Sequence, residues 1–253
     1  MNHAPLQKTL SALVVEQLTV TRGRKKILSS AMCEFAVGVT ALLGRNGAGK
    51  TTMLRALSGL LPAEERRILF DDQDPFRSSD ALRAYRASIG WMPQDPSFPR
   101  GIRVGEAVAY AAWLKGFDGD DARSAANDAL ADVELMSESG ARVDRLSGGQ
   151  RRRVALACAH VGDPRILLLD EPTVGLDPEQ RENLLAMIRT RAERAVVVIS
   201  THLMEDVLQL ADHVAVLDGG RITRQSSVAD VFDASAPFGE AMRAMRQTLL
   251  PDA

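Results

Sequence analysis

The run Gly44-Arg45-Asn46-Gly47-Ala48-Gly49-Lys50-Thr51-Thr52 places three glycines and a lysine between two segments of different periodicity. Residues 39–43 before it, apolar but for Thr40, read as a short buried strand, and residues 51–59 after it open a helix that ends at a glycine. Strand, glycine loop and helix in that order commit the chain to an α/β architecture, with the loop at a strand end and the helix start facing whatever it binds. Glycines let the backbone fold tightly and point its N–H groups inward at the positive end of the helix. Such a cradle suits a phosphate chain, with Lys50 as a point charge between the β- and γ-phosphates and the hydroxyl of Thr51 free for Mg²⁺.

The remaining periodicity fits that architecture. Residues 13–21 and 27–37 read as strands separated by the charged turn Arg22-Gly23-Arg24-Lys25-Lys26, an antiparallel lead-in to the loop. Residues 89–92 predict another strand, after which 104–115 and 121–135 turn helical, an inserted helical subdomain. Its acidic, alanine-rich stretch 118–132 reads as a solvated helix face. Further on, strands at 166–169, 196–200 and 214–217 alternate with helices, which predicts right-handed βαβ units and a parallel sheet. Gly219-Gly220 then turns the chain into 221–224. The 253 residues suffice for one such unit with an insertion and not for two. The expected division is a catalytic core with its β subdomain over 13–94 and 161–225, a helical subdomain over 95–160, and a helical tail over 226–253.

Two other segments carry phosphate chemistry. Four apolar residues followed by Asp170 put a carboxylate at the C-terminal end of a buried strand, where α/β sheets bind ligands, and that position suits Mg²⁺ held through water. Glu171 beside it can polarise an attacking water, and Pro172-Thr173-Val174-Gly175-Leu176-Asp177-Pro178 follows. Between the glycine loop and this strand lies Arg145-Leu146-Ser147-Gly148-Gly149-Gln150, which opens a helix over 149–160 and forms a second anion site without a lysine.

Composition excludes several classes. A net charge of −2 gives no general attraction to nucleic acid. The longest apolar runs, 166–169 and 195–199, stop far short of the ~20 residues that a membrane helix needs. The first eighteen residues reach Glu16 and Gln17 too soon for a secretory signal. Cys33 and Cys158 suit a reducing compartment, Cys158 as core packing, and His3, His160 and His213 read as ordinary histidines.

The three motifs, in this order and over about residues 13 to 225, resemble the ATP-binding cassette (ABC) ATPases. The resemblance implies a P-loop NTPase (RecA-like) parallel-sheet core with an antiparallel β subdomain and an inserted helical subdomain, and it implies ATP and Mg²⁺ as ligands. It assigns Glu171 as the catalytic glutamate, Asp170 and Thr51 to the metal, and His202, in Ser200-Thr201-His202-Leu203, to the γ-phosphate. Gln94, in Trp91-Met92-Pro93-Gln94-Asp95, is similar to the hinge glutamine that meets Mg²⁺ and the attacking water. Residues 44–52 hold the nucleotide of their own chain, Ser147, Gly148, Gly149 and Gln150 contact the ATP of a second cassette packed head to tail, and Asp177 links the two sites. There are two departures. Arg22 stands where many relatives carry an aromatic that stacks on adenine, a contact a guanidinium can also make. Residues 62–72 lack the glycines usual near Arg66 and Asp72.

By the same resemblance the chain is the ATPase subunit of a transporter, working as a homodimer or heterodimer at the cytoplasmic face of the membrane beneath separately encoded transmembrane permease subunits. Residues 98–116 are similar to bacterial drug, antibiotic and polysaccharide export cassettes, which favours export, with import as the alternative. Soluble relatives that act on DNA or ribosomes usually need a long coiled-coil insertion or tandem cassettes, and a sensor without turnover would not need Glu171 and His202. Phe98, Ile102 and Trp113 are expected either to receive a cytoplasmic helix of the membrane partner or to pack the helical subdomain.

Overall fold

The computed structural model describes residues 12–232 and 238–249 of the chain. Strands β1 (Leu13–Arg22) and β2 (Lys25–Phe35) form a hairpin. Arg22 pairs with Lys25, so the connection is only Gly23-Arg24, with Gly23 at φ 61° supplying the left-handed backbone of a tight turn. The charged turn expected over 22–26 is therefore shorter than its charge suggested, because Lys25 and Lys26 stay exposed while already paired as strand. Strand β3 (Gly38–Leu43) leads into helix α1 (Lys50–Leu57), and β4 (Glu65–Phe70) returns to pair antiparallel with β1. Just beyond β4, Asp71 and Asp72 adopt φ 51° and 60° in a turn closed by reciprocal Phe70–Gln73 backbone hydrogen bonds. Aspartate tolerates this left-handed region better than most residues, so the pair makes the turn without glycine.

Helix α2 (Ser79–Ala87) precedes β5 (Ile89–Met92) and has no counterpart in the sequence reading. Ser78 caps it by accepting from the Ala81 N–H, and its inward face is narrow, Tyr85 buried and Leu82 partly buried beside it, within a mostly polar segment that carries Asp80, Arg83 and Arg86. Helices α3 (Val104–Leu114), α4 (Gly119–Asp132) and α5 (Gly148–His160) form the helical block. On α4, Ala122, Ala126, Ala129 and Leu130 face inward while the acidic side chains of its first turn stay in solvent. The chain then alternates through β6 (Ile166–Asp170), α6 (Pro178–Ala192), β7 (Val196–Ser200), α7 (Met204–Leu210), β8 (His213–Asp218) and β9 (Arg221–Ser227), and α8 (Phe238–Leu249) closes the described chain. Met245 and Leu249, four residues apart on α8, are buried against the core.

The main sheet runs β5-β6-β7-β3-β8-β9, parallel except for β9. Its central strands are buried on both faces, and strand period divides them between two cores. Val39, Ala41, Leu43, Leu167, Leu169, Val197 and Ile199 face the helical block, α6 and α7. Leu42, Ile166, Leu168, Val196 and Val198 face α1 and the three-stranded sheet β2-β1-β4. Each of the fully buried valine, leucine and isoleucine side chains among these contributes about 1.5–3 kcal/mol to folding. The consequence for the site is positional: β5, β6, β7 and β3 are adjacent and parallel, so their C-terminal ends emerge side by side.

Cys33 and Cys158 both sit where burial pushes the thiol up, Cys158 to about 12, which keeps them protonated and inert. His160 is buried on α5, and His213 begins β8; His3 lies outside the described residues. No helix among the described residues is long and apolar enough to cross a membrane.

Candidate functional site

Four strand ends and one helix start enclose an open cleft of about 470 Å³, lined by Arg22, Ile27, Asn46, Gly47, Gly49, Lys50, Thr51, Thr52, Gln94, Glu171 and His202. That is ample for a drug-sized ligand. The loop after β3 forms its floor. Gly49 takes φ 107° as the N-cap of α1, and a Cβ there would lie 3.1 Å from Ile27 Cγ2 and 3.2 Å from Leu28 Cδ2, so glycine is required twice over. No side chain caps α1, which leaves its first N–H groups turned to the cleft. Lys50 Nζ donates to the carbonyls of Gly44 (2.7 Å) and Arg45 (3.4 Å), and Ala48 N donates to Arg45 O, so Gly44, Arg45 and Ala48 form the back of the loop. Burial pushes the Lys50 amine below the usual lysine range, while Glu171 and Asp170 pull it back up.

Opposite the loop, β6 ends at Asp170, 1% exposed, and Glu171, 8% exposed. Glu171 is held at φ 49°, a costly conformation for a non-glycine residue, by three contacts. Its N–H donates to Ser200 O (3.1 Å) and Ser200 Oγ (3.0 Å), and its carbonyl accepts from Arg152 (3.2 Å). The Ser200 hydroxyl in turn donates to Asp170 Oδ1 at 2.5 Å. Gln94, just past β5, donates to Glu171 Oε2 at 3.4 Å, and His202 Nδ1, just past β7, lies 3.5 Å from Glu171 Oε1. Glu171 is thus the meeting point of the three segments.

Asp170 Oδ2 is buried and has no hydrogen-bond partner among the described residues. An orphaned carboxylate oxygen costs free energy unless a cation or its water completes it. No group of three or more His, Cys, Asp or Glu able to cage a metal exists among the described residues. One carboxylate and one hydroxyl, Asp170 and Thr51, fit a magnesium ion that takes its other ligands from water and phosphate oxygens.

The other expected residues lie elsewhere. Ser147 caps α5 by accepting from Gln150 N (3.2 Å), and Gln150 Oε1 accepts from Ser147 N (3.0 Å), a reciprocal capping box. Asp177 caps α6 by accepting from Gln180 N at 2.9 Å. The two helix starts are neighbours, since a Cβ on Gly149 would come within 2.6 Å of Gln180 Oε1. None of Ser147, Gly148, Gly149, Gln150 or Asp177 lines the cleft, and Ser147, Gly148 and Asp177 are exposed. The structure therefore assembles two groups, a cleft and an outward-facing pair of helix starts.

The structure also divides the apolar segment beyond Gln94. Phe98 and Ile102 are partly buried against the core, whereas Trp113 is 55% exposed with its ring stacked on Tyr110 at 5.8 Å. The sequence reading missed Ile27 in the cleft lining, and Ser200 and Arg152, which hold the Glu171 backbone. Ser200 left a readable signal, a polar residue ending an otherwise apolar strand; Arg152 and Ile27 act through the tertiary fold and left none.

A family model described as ABC transporter matches residues 35–174. The chain is 34% identical over 247 residues to "Methionine import ATP-binding protein MetN 2" of Rhodococcus jostii, covering 96% of this chain and 68% of that one. It is 35% identical over 184 residues to human "Retinal-specific phospholipid-transporting ATPase ABCA4", covering 73% of this chain and only 8% of that protein. Among solved structures it resembles cbiO1 from Clostridium perfringens, part of the transporter complex cbiONQ, with a TM-score of 0.76, 30% identity, and 94% and 95% of the two chains covered.

Proposed function

The chain belongs to the ATP-binding cassette family of transporter ATPases, and from that premise we propose how its own residues bind and hydrolyse ATP and what they drive. The convergence of Gln94, Glu171 and His202 opposite the glycine loop carries the reading. The loop N–H groups and Lys50 hold the phosphates, with Gly44, Arg45, Asn46, Gly47, Ala48, Gly49, Thr51 and Thr52 shaping the cradle. Thr51, Asp170 and Gln94 would hold Mg²⁺, which would neutralise charge on the phosphate oxygens. Glu171 orients and polarises the attacking water, and its two neighbours fix where that carboxylate points: Gln94 from one side, His202 from the other. His202, half exposed, reaches the terminal phosphate. Arg22, at the rim of the cleft, lies against the base.

The exposed helix starts at Ser147 and Asp177 serve a second cassette subunit, a copy of this chain or a relative. Packed head to tail, the turn at Ser147–Gln150 completes the partner's ATP site, and Asp177 joins the two sites. Separately encoded membrane subunits hold this dimer at the cytoplasmic face of the membrane. Tyr110, Trp113 and Leu114 on α3, 56%, 55% and 61% exposed, offer the apolar contact for them. The direction we propose is outward, supported by residues 98–116; the name of the Rhodococcus relative favours a second reading, import.

Glu171→Gln should retain ATP binding and lower hydrolysis by on the order of 10² or more; hydrolysis at the wild-type rate would remove Glu171 from the mechanism. Direction is read with the co-purifying membrane subunits in inverted vesicles. ATP-driven accumulation inside them supports export, and ATP-driven loss of preloaded substrate supports import.

A further inference from the structure

Asp206, on the first turn of α7, is 1% exposed and carries four hydrogen bonds from three other segments. Its Oδ2 accepts from the Thr173 hydroxyl (2.5 Å), two residues beyond Glu171, and from the Thr201 hydroxyl (3.1 Å), next to His202. Its Oδ1 accepts from Arg181 Nε (2.8 Å) and a terminal guanidinium nitrogen (2.6 Å). Arg181 belongs to α6, and its own N–H donates to the Asp177 carbonyl at 2.9 Å. Thr201 Oγ1 also accepts from Leu203 N (3.0 Å), which closes the loop around His202. A buried carboxylate is costly unless its lone pairs are filled, and here each oxygen has two donors. A carboxylate saturated in this way cannot shift without losing several bonds together, so it acts as a rigid node.

We infer that Asp206 is a positioning residue that fixes Glu171 and His202 relative to each other and ties both to the helix start at Asp177. It touches no substrate. Thr173 carries its hold to the Glu171 loop, Thr201 to the His202 loop, and Arg181 to α6. A displacement at Asp177 would then reach the hydrolytic pair through one side chain rather than through general packing. Among the described residues the Asp206 carboxylate hydrogen-bonds to Thr173, Thr201 and Arg181 and to no residue of the nucleotide-holding loop after β3, so node variants should lose turnover and keep ATP affinity. This role rests on the reading that Glu171 and His202 serve hydrolysis.

The test uses the full chain and ATP with Mg²⁺. Thr173→Val keeps the shape of the side chain and removes the hydroxyl; it should lower kcat by about fivefold while KM and directly measured ATP affinity change by less than about twofold. Thr173→Ser restores the hydroxyl and should return kcat to within about twofold of wild type. Asp206→Asn places an amide donor against hydroxyl or guanidinium donors, and should lower kcat by about tenfold or more with the same sparing of affinity. If Asp206→Asn fails to fold, the Thr173 pair decides alone. Unchanged kcat in Thr173→Val, or equal losses in Thr173→Val and Thr173→Ser, overturns the inference. Glu171→Gln is assayed alongside: if it too hydrolyses at the wild-type rate, the hydrolytic reading has failed, and if it alone loses turnover, only the role of Asp206 has.

Discussion

The two glycine-bearing helix starts of this chain, α1 and α5, are built to opposite plans. At α1, Gly49 caps without a side chain, Lys50 is 6% exposed, and the ends of β3, β5, β6 and β7 wall in the space above the first turn. At α5, Ser147 and Gln150 cap each other and the turn faces outward, beside the start of α6. A start that leaves its N–H groups uncapped inside a walled cleft is a binding site in its own right. A start already capped by its own side chains, with no wall opposite, gains a ligand only when another surface supplies one. The α/β sheet thus builds the first half of the proposed ATP site within one chain and leaves the second half on the outside.

The largest expected effect is that of Lys50→Ala. It leaves phosphate charge unpaired in a buried loop and should weaken ATP binding by on the order of 10²-fold, read by calorimetry or nucleotide fluorescence. A change below about twofold would mean that the α1 start is not the phosphate site. Ser147→Arg probes the other start. It should lower hydrolysis by about tenfold or more while single-chain ATP binding changes by less than about twofold. Mixing it with Lys50→Ala should recover part of the rate, since such a pair retains one complete composite site. Hydrolysis at the wild-type rate in Ser147→Arg would detach α5 from the reaction. The smallest effect belongs to Arg22→Ala, which should raise KM for ATP by about fivefold with kcat unchanged, as for loss of a stacking contact. Discrimination between ATP and GTP should be weak in the parent chain, because a flexible guanidinium holds a base less firmly than a ring. Unaltered KM would confine Arg22 to the hairpin turn.

Much of the α1 half was legible in the sequence, because strand period, glycine spacing and helix punctuation each act locally. The apolar runs at 166–169 and 196–199 place Asp170 and Ser200 at strand ends without any tertiary knowledge. Helix α2 was not legible, since its polar composition hides a short helix whose inward face is little more than Leu82 and Tyr85. The left-handed Glu171 was invisible too: its conformation is imposed by Ser200 and Arg152, 29 and 19 residues away in sequence. Asp206 did leave a mark, an acid on the inward face of a helix whose Val207 and Leu210 are buried. Its partners Thr173, Thr201 and Arg181 meet it only in three dimensions.

In the proposed dimer the capped start of α5 closes the cleft of α1 from another molecule, with ATP between them. Sedimentation velocity of the Glu171→Gln chain, with and without saturating ATP, tests this most directly, because that variant should bind ATP without releasing the assembly by hydrolysis. Without nucleotide the variant should sediment as a 27.4 kDa monomer, and with ATP as a species of twice that mass, lost again when Ser147→Arg is added. A 27.4 kDa monomer at saturating ATP, or an ATP-dependent dimer indifferent to Ser147→Arg, would contradict that arrangement.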